Sequence, residues 1–213
     1  MKNITANYGK LFGCVLLCVF ILAVTSCLEI TQHVSMNGTV MRTQTRITVQ
    51  KSLLAMAEAY GGDLDESDFD FTTAESIKVP PKLAKEFTKI DSELEYGVSL
   101  VAEYTMNEAF NAQKSMDNAF FLPVKQGNTL VFDIMPSAFD RENEYEDLTL
   151  LILAAYKYRL YISKSVLANP QTVTITRDDF NYDALLINYP DFTAVEIPIL
   201  VFFGDEPFQI IIK

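Results

Sequence analysis

The chain has no tryptophan, one histidine and three cysteines among its 213 residues. The cysteines stand at 14, 18 and 27, and none follows. That excludes a disulfide framework in the body of the chain, and a zinc site rich in His or Cys. Neither G-x-x-x-x-G-K-[ST] nor G-x-G-x-x-G occurs, so no loop is a candidate to cradle phosphates and no cofactor is expected. Basic residues are few: 17 Lys and Arg stand against 28 Asp and Glu, a net charge of −11. An acidic chain repels phosphate backbones, which argues against a nucleic-acid partner.

With 49% apolar and 21% charged residues, the composition is that of a folded chain rather than a disordered one. The length fits a single domain that can bury a core without disulfides or metals. No repeat, low-complexity stretch or linker interrupts it.

The first residues differ from the rest. Residues 1–10 (MKNITANYGK) carry Lys2 and Lys10 and no acid, and residues 11–24 (LFGCVLLCVFILAV) are continuously apolar. The run is shorter than the ~20 residues a spanning helix needs, and small residues follow it, as in a secretory signal. Val24-Thr25-Ser26-Cys27 resembles the lipobox of bacterial lipoproteins, with Val24 where leucine is commonest. The resemblance implies that Cys27 carries a diacylglyceryl thioether, that the leader is cut before it, and that the new amine is acylated. An uncleaved signal anchor and plain secretion are the alternatives. The expected organisation is a signal peptide over 1–26 and one domain over 27–213.

Loss of Lys2 and Lys10 takes the net charge from −11 to −13. An acidic body is repelled by anionic headgroups, which favours a domain held off the bilayer over one lying on it. No acidic or Ser/Gly-rich tether follows Cys27, so folded structure is expected to start close to the lipid. Leu28-Glu29, without an Asp, points to the outer membrane under the enterobacterial sorting rule.

Along the mature chain, residues 29–36 alternate with Ile30, Gln32, Val34 and Met36 on one side. Asn37-Gly38 then marks a hairpin turn into a second alternating run over 39–49. Leu53, Leu54, Ala57 and Tyr60 fall at helical spacing over 50–60, and Gly61-Gly62 stops that helix. Pro80-Pro81 fits the start of another, with Leu83, Phe87, Ile90 and Leu94 on one face. Residues 95–104 read as a strand. Thr105 and Glu108 form a capping-box pair that opens a helix over 106–118. A second hairpin over 120–134 turns at Gln126-Gly127-Asn128, and 138–155 reads as a helix with acids in its first turn. Residues 156–163, 171–176, 184–188 and 195–203 read as strands, and FQIIIK at the end as one more. The expected fold class is α+β: an antiparallel sheet built from an N-terminal hairpin, a middle hairpin and C-terminal strands, with helices segregated between them.

Candidate chemistry is sparse. Asp63, Asp65, Glu66, Asp68 and Asp70 offer hard oxygen ligands at alternate positions, which suits calcium. An EF-hand loop starting at Asp63 would need Gly and Glu where Asp68 and Ala74 stand, so a solvated acidic loop is the simpler account. Asp140, Glu142, Glu144, Glu146 and Asp147 could supply paired carboxylates for acid–base or metal work, but an acidic first helical turn explains them with no chemistry. Asp178, Asp179 and Asp183 fit a turn between strands. His33, opposite in parity to Ile30, is expected at the surface. A Ser–His–Asp triad through it finds no G-x-S-x-G elbow. Tyr156, Tyr158, Tyr161, Phe202 and Phe203 concentrate in the C-terminal strands. They are expected to pack as core, or else to line a cavity for a hydrophobic ligand.

The hairpin beside Cys27, the helical middle and the late strand run opening at Tyr156-Lys157-Tyr158-Arg159-Leu160-Tyr161-Ile162 give a layout that resembles the LppM-type envelope lipoproteins of bacteria. The resemblance implies an α+β domain with a groove for a lipid or glycolipid, and transfers no site residue. Three readings follow. The first is a non-enzymatic, lipid-anchored binding or assembly module of the cell envelope, its membrane contact made through Cys27. The second is a carrier of a hydrophobic ligand. The third is a hydrolase using two carboxylates, as glycosidases do.

Overall fold

The computed structural model describes residues 28–52, 55, 79–115, 122–134, 156–176, 184–202 and 207–213. The alternating apolar residues at the start of the body fold as expected, into β1 (Leu28–Asn37) and β2 (Val40–Gln50). Ile30 faces Ile47, Gln32 faces Thr45 and Val34 faces Thr43, so the predicted inward set shares one face. The turn falls one residue later than expected. Asn37 pairs with Val40, leaving Gly38-Thr39 as the two-residue loop. Gly38 takes φ 60°, the positive value that primed hairpin turns need at their first central position.

The next segment corrects the helix expected from Pro80 to Leu94. Pro80 opens one turn, its carbonyl accepting from Leu83 N at 2.9 Å and Ala84 N at 3.3 Å. The chain then runs extended as β3 (Ala84–Asp91), an outer strand on β4 (Glu95–Thr105). The register shifts between Ala84 and Glu86. This bulge leaves Ala84 and Phe87, three residues apart, both packed on the core. Of the residues that read as one helical face, Leu83 and Leu94 lie outside β3, and Phe87 and Ile90, three apart in a regular stretch of strand, point to opposite sides.

The expected capping box does open a helix, α1 (Met106–Ser115). Glu108 Oε2 accepts from Thr105 N at 2.8 Å and Thr105 Oγ1 at 2.9 Å, while Glu108 N donates to Thr105 Oγ1 at 3.4 Å. Ala109 and Ala112 are the buried side of this helix. The middle hairpin follows as β5 (Val124–Gln126) and β6 (Thr129–Ile134), with Gly127 at φ 59°. The late strands are β7 (Lys157–Ser163), β8 (Val173–Thr176), β9 (Leu185–Asn188), β10 (Phe192–Pro198) and β11 (Phe208–Ile212). The strand expected over 195–203 begins earlier and stops at Pro198. A 3₁₀ turn takes Ile199–Phe202.

Two sheets result where one was expected. The first has seven strands in the order β3-β4-β2-β1-β7-β10-β9, the second four in the order β5-β6-β11-β8. Antiparallel pairing dominates, and β1 with β7 is a parallel pair. Both sheets contribute to one core. Tyr158, Leu160, Ile162, Val195 and Ile197 come from the first, and Leu130, Phe132, Ile134, Ile210 and Ile212 from the second. The described residues are mostly strand, so helix is a smaller part of them than the α+β expectation held. Lys51, Ser52 and Ala55 are helical, at the start of the helix expected over 50–60. The helix expected over 138–155 lies outside the described residues. Among the described residues, no helix is long and apolar enough to cross a membrane.

Candidate functional site

The parity that sends Ile30, Val34, Leu160 and Ile162 inward sends their neighbours to the other face of the seven-stranded sheet. There β1 and β7 place His33 directly beside Tyr161. The two rings stack with centroids 4.6 Å apart and planes at 21°. Phe192, at the start of β10, meets Tyr161 edge-on at 5.8 Å and 72°. Tyr189, in the β9–β10 turn, stacks on Phe192 at 4.8 Å and 25°. Four rings from three parts of the chain thus form a continuous row on the outward face. Leu185 and Ile187 of β9 extend it as exposed apolar side chains. This face, with its partly exposed rings, is the candidate recognition surface among the described residues.

The row is held by polar contacts at its margin. Tyr189 N donates to Phe192 O at 2.8 Å, closing the β9–β10 turn. Lys164 Nζ donates to Asn169 Oδ1 at 3.2 Å, Asn188 Oδ1 at 3.1 Å and Thr193 Oγ1 at 3.1 Å. Asn188 Nδ2 in turn donates to Pro170 O at 2.9 Å. One ammonium therefore ties the β7–β8 connection to β9 and β10, on the side of the sheet opposite the rings, where Thr193 lies buried beside Ile162.

Between the rings and the sheet end lies an open recess of about 250 Å³, lined by His33, Ser35, Tyr161, Ser163, Asp191 and Phe192. It offers ring surfaces together with two hydroxyls, an imidazole and a carboxylate, a mixture suited to recognition. Partial burial lowers the pKa of His33, so the imidazole is neutral at physiological pH. Its serines are engaged elsewhere: Ser35 Oγ donates to Arg42 O at 3.5 Å, and Ser163 Oγ accepts from Ser165 Oγ at 3.0 Å. Among the described residues, no hydrogen bond joins His33 to a serine or a carboxylate, and no cluster of His, Cys, Asp and Glu could hold a metal ion.

Below the recess the face becomes charged. Glu196 accepts from Lys157 at 2.9 Å and Arg159 at 3.3 Å, and these cations hold its carboxyl below the usual range. A carboxylate so held stays ionised and cannot serve as a general acid near neutral pH.

His33 is exposed, as expected from its parity. Tyr156, Tyr158 and Phe202 are core residues. Tyr158 and Phe202 meet edge-on at 5.6 Å, and Phe202 reaches Phe208 of β11 at 6.0 Å. Tyr161 parts from them and joins the outward row. Cys27, Asp63, Asp65, Glu66, Asp68, Asp70, Asp140, Glu142, Glu144, Glu146, Asp147, Asp178, Asp179, Asp183 and Phe203 lie outside the described residues. Phe192, Tyr189, Asp191, Ser163 and Lys164 were not singled out by the sequence reading. Tyr189-Pro190-Asp191 is a visible turn signal. Bringing Phe192 beside Tyr161 further requires the pairing of β10 with β7, which no local pattern encodes.

No protein-family model, curated protein or solved structure matches the chain.

Proposed function

We propose that the chain is a lipid-anchored protein of the bacterial cell envelope, most simply at the outer membrane. It acts as a non-enzymatic binding or assembly module. Cys27 carries the lipid, and the outward face of the seven-stranded sheet makes the recognition contact. The observation that carries the recognition part is the ring row His33–Tyr161–Phe192–Tyr189, outside the core and beside a recess with polar walls. The burial of Tyr158 and Phe202 among core side chains supports a surface binder over a carrier that encloses its ligand. The finer α+β layout belongs to the same reading, with helices over 50–60 and 138–155 set between the N-terminal hairpin, the middle hairpin and the C-terminal strands.

Two experiments test this. Intact mass of the protein from its native membrane should equal residues 27–213 plus two or three acyl chains, and Cys27→Ala should lose both processing and membrane sedimentation. A mass that includes residues 1–26 would remove the lipid anchor. For recognition, a photo-crosslinking residue at Tyr161 should form an adduct in the native envelope that one at Lys125, on the other sheet, does not form. Equal labelling from both positions would remove the ring row from the proposal.

A further inference from the structure

The geometry points to the end of the seven-stranded sheet that carries Leu28 and Leu94 as a rim that docks on the bilayer, with Leu94 entering the lipid interface. This rests on the reading of Cys27 as the lipidated residue.

Strand β1 begins at Leu28, the residue after Cys27. Neighbouring Cα atoms are about 3.8 Å apart, so the acyl chains attach within one residue of the sheet. The register then fixes what stands beside that point. Leu28 pairs with Val49, Val49 with Tyr96, and Gln50 with Glu95. Lys51 N donates to Leu94 O at 2.9 Å. Two strand spacings of about 4.8 Å place the Ser92–Leu94 turn roughly 10 Å from Leu28, at the same end of the sheet.

Leu94 is 75% exposed, more than any other large apolar side chain among the described residues. The turn that presents it is tied down. Ser92 Oγ accepts from Leu94 N at 3.3 Å and Glu95 N at 3.0 Å, and Ser92 N donates to Glu95 O at 2.9 Å. A leucine on so ordered a turn cannot fold back onto the core, and at a membrane interface its apolar surface leaves water.

The charges at this end agree. Asp91 is paired with Lys51 at 2.7 Å, Glu95 with Arg46 at 2.5 Å, and Glu196 with Lys157 and Arg159. Glu29 lies 3.8 Å from Arg159. Glu93, beside Leu94, is the acid at this rim with no ion pair among the described residues. Among the described residues, the carboxylates at this end are thus largely neutralised by neighbouring cations, which reduces their repulsion from anionic headgroups.

The same orientation sets the height of the ring row. Strands rise about 3.4 Å per residue, which puts His33 roughly 17 Å and Ser35 roughly 24 Å along β1 from Leu28. The rings then stand clear of the headgroups, with the Gly38-Thr39 turn farther out still.

The absence of tryptophan makes the test direct. Leu94→Trp introduces the sole tryptophan, and Thr39→Trp does so at the opposite end. Each full chain, purified with its lipid and checked by intact mass, is reconstituted in vesicles of phosphatidylethanolamine and phosphatidylglycerol carrying brominated acyl chains. Emission from Leu94→Trp should shift to the blue and fall about twofold, the quenching expected at the headgroup–acyl boundary, while Thr39→Trp is unaffected. Glu93→Trp, in the same turn, repeats the measurement should Leu94→Trp fail to fold. A correctly acylated protein in which both ends are equally insensitive to bromine would overturn the rim and leave the anchor standing. A blue shift that persists in detergent and grows with protein concentration would assign the rim to a second copy and overturn bilayer docking. A mass without acyl chains would remove the anchor, and the rim with it.

Discussion

A methyl group added at Gly97 would stand 2.0 Å from the carbonyl oxygen of Ile47. Gly97 pairs with Thr48 in the β2–β4 ladder and adopts φ 157°. The obstructing atoms are backbone, so no side-chain rotation relieves the contact. Gly97→Ala should destabilise the domain by about 3 kcal/mol, at the upper end of the usual overpacking cost. Urea denaturation reads this directly. A loss below about 0.5 kcal/mol would show that β2 and β4 separate there without penalty.

Tyr158 and Gln32 form a buried polar pair across the parallel β1–β7 junction. The phenol donates to Gln32 Oε1, and Gln32 Nε2 donates to Thr45 Oγ1 at 3.2 Å. Tyr158→Phe keeps the ring and removes the donor, and should cost about 1–3 kcal/mol because a buried acceptor loses its partner. Gln32→Leu alone should also destabilise. The double variant should be less damaged than the sum by about 1 kcal/mol or more. Strict additivity in denaturant would show that the hydrogen bond contributes nothing to stability.

Much of the fold was legible where one local rule sufficed. The alternation of Ile30, Gln32, Val34 and Met36 gave β1 and placed His33 outward. The Thr105–Glu108 pair gave the start of α1. Glycines 38 and 127 gave the two turns to within a residue. The stretch from Leu83 to Leu94 misled because Leu83 and Leu94 lie in the turns before and after β3, while Phe87 and Ile90 face opposite sides of that strand, so their helical spacing marks no shared face. The ring row was half legible. Tyr161 was visible as a C-terminal aromatic, but its partners His33 and Phe192 lie 128 and 31 residues away in sequence. Only the parallel β1–β7 and antiparallel β7–β10 registers bring them together.

Thr105 caps α1 as the last residue of β4, so one side chain fixes where strand becomes helix. Thr105→Ala removes the hydroxyl from both Glu108 N and Glu108 Oε2. The expected loss is about 1 kcal/mol, the usual cost of an N-cap. Thr105→Ser, which keeps the hydroxyl, should recover most of it. Thermal denaturation of the three proteins decides the point, and a serine variant no better than alanine would show that the threonine methyl matters instead.

His33 should make stability depend on pH in a window of its own. Partial burial against Tyr161 lowers its pKa below the ordinary 6.5. The folded state therefore binds this proton less readily than the unfolded chain. Above 6.5 the imidazole is neutral in both states and carries no penalty. As pH falls from 6.5 toward the lower folded value, the unfolded chain gains the proton first, and stability declines until both states are protonated. The paired carboxylates behave alike in direction and apart in range. Asp91 and Glu196 are held down by Lys51 and Lys157, and their contribution is lost only as pH falls below the ordinary carboxylate values of 3.8 and 4.5. Denaturation midpoints taken at about pH 7.5 and about pH 5.5 should therefore fall for the native sequence and stay level for His33→Gln. An equal decline in both proteins would assign the effect to other groups and leave His33 without a pH-dependent role.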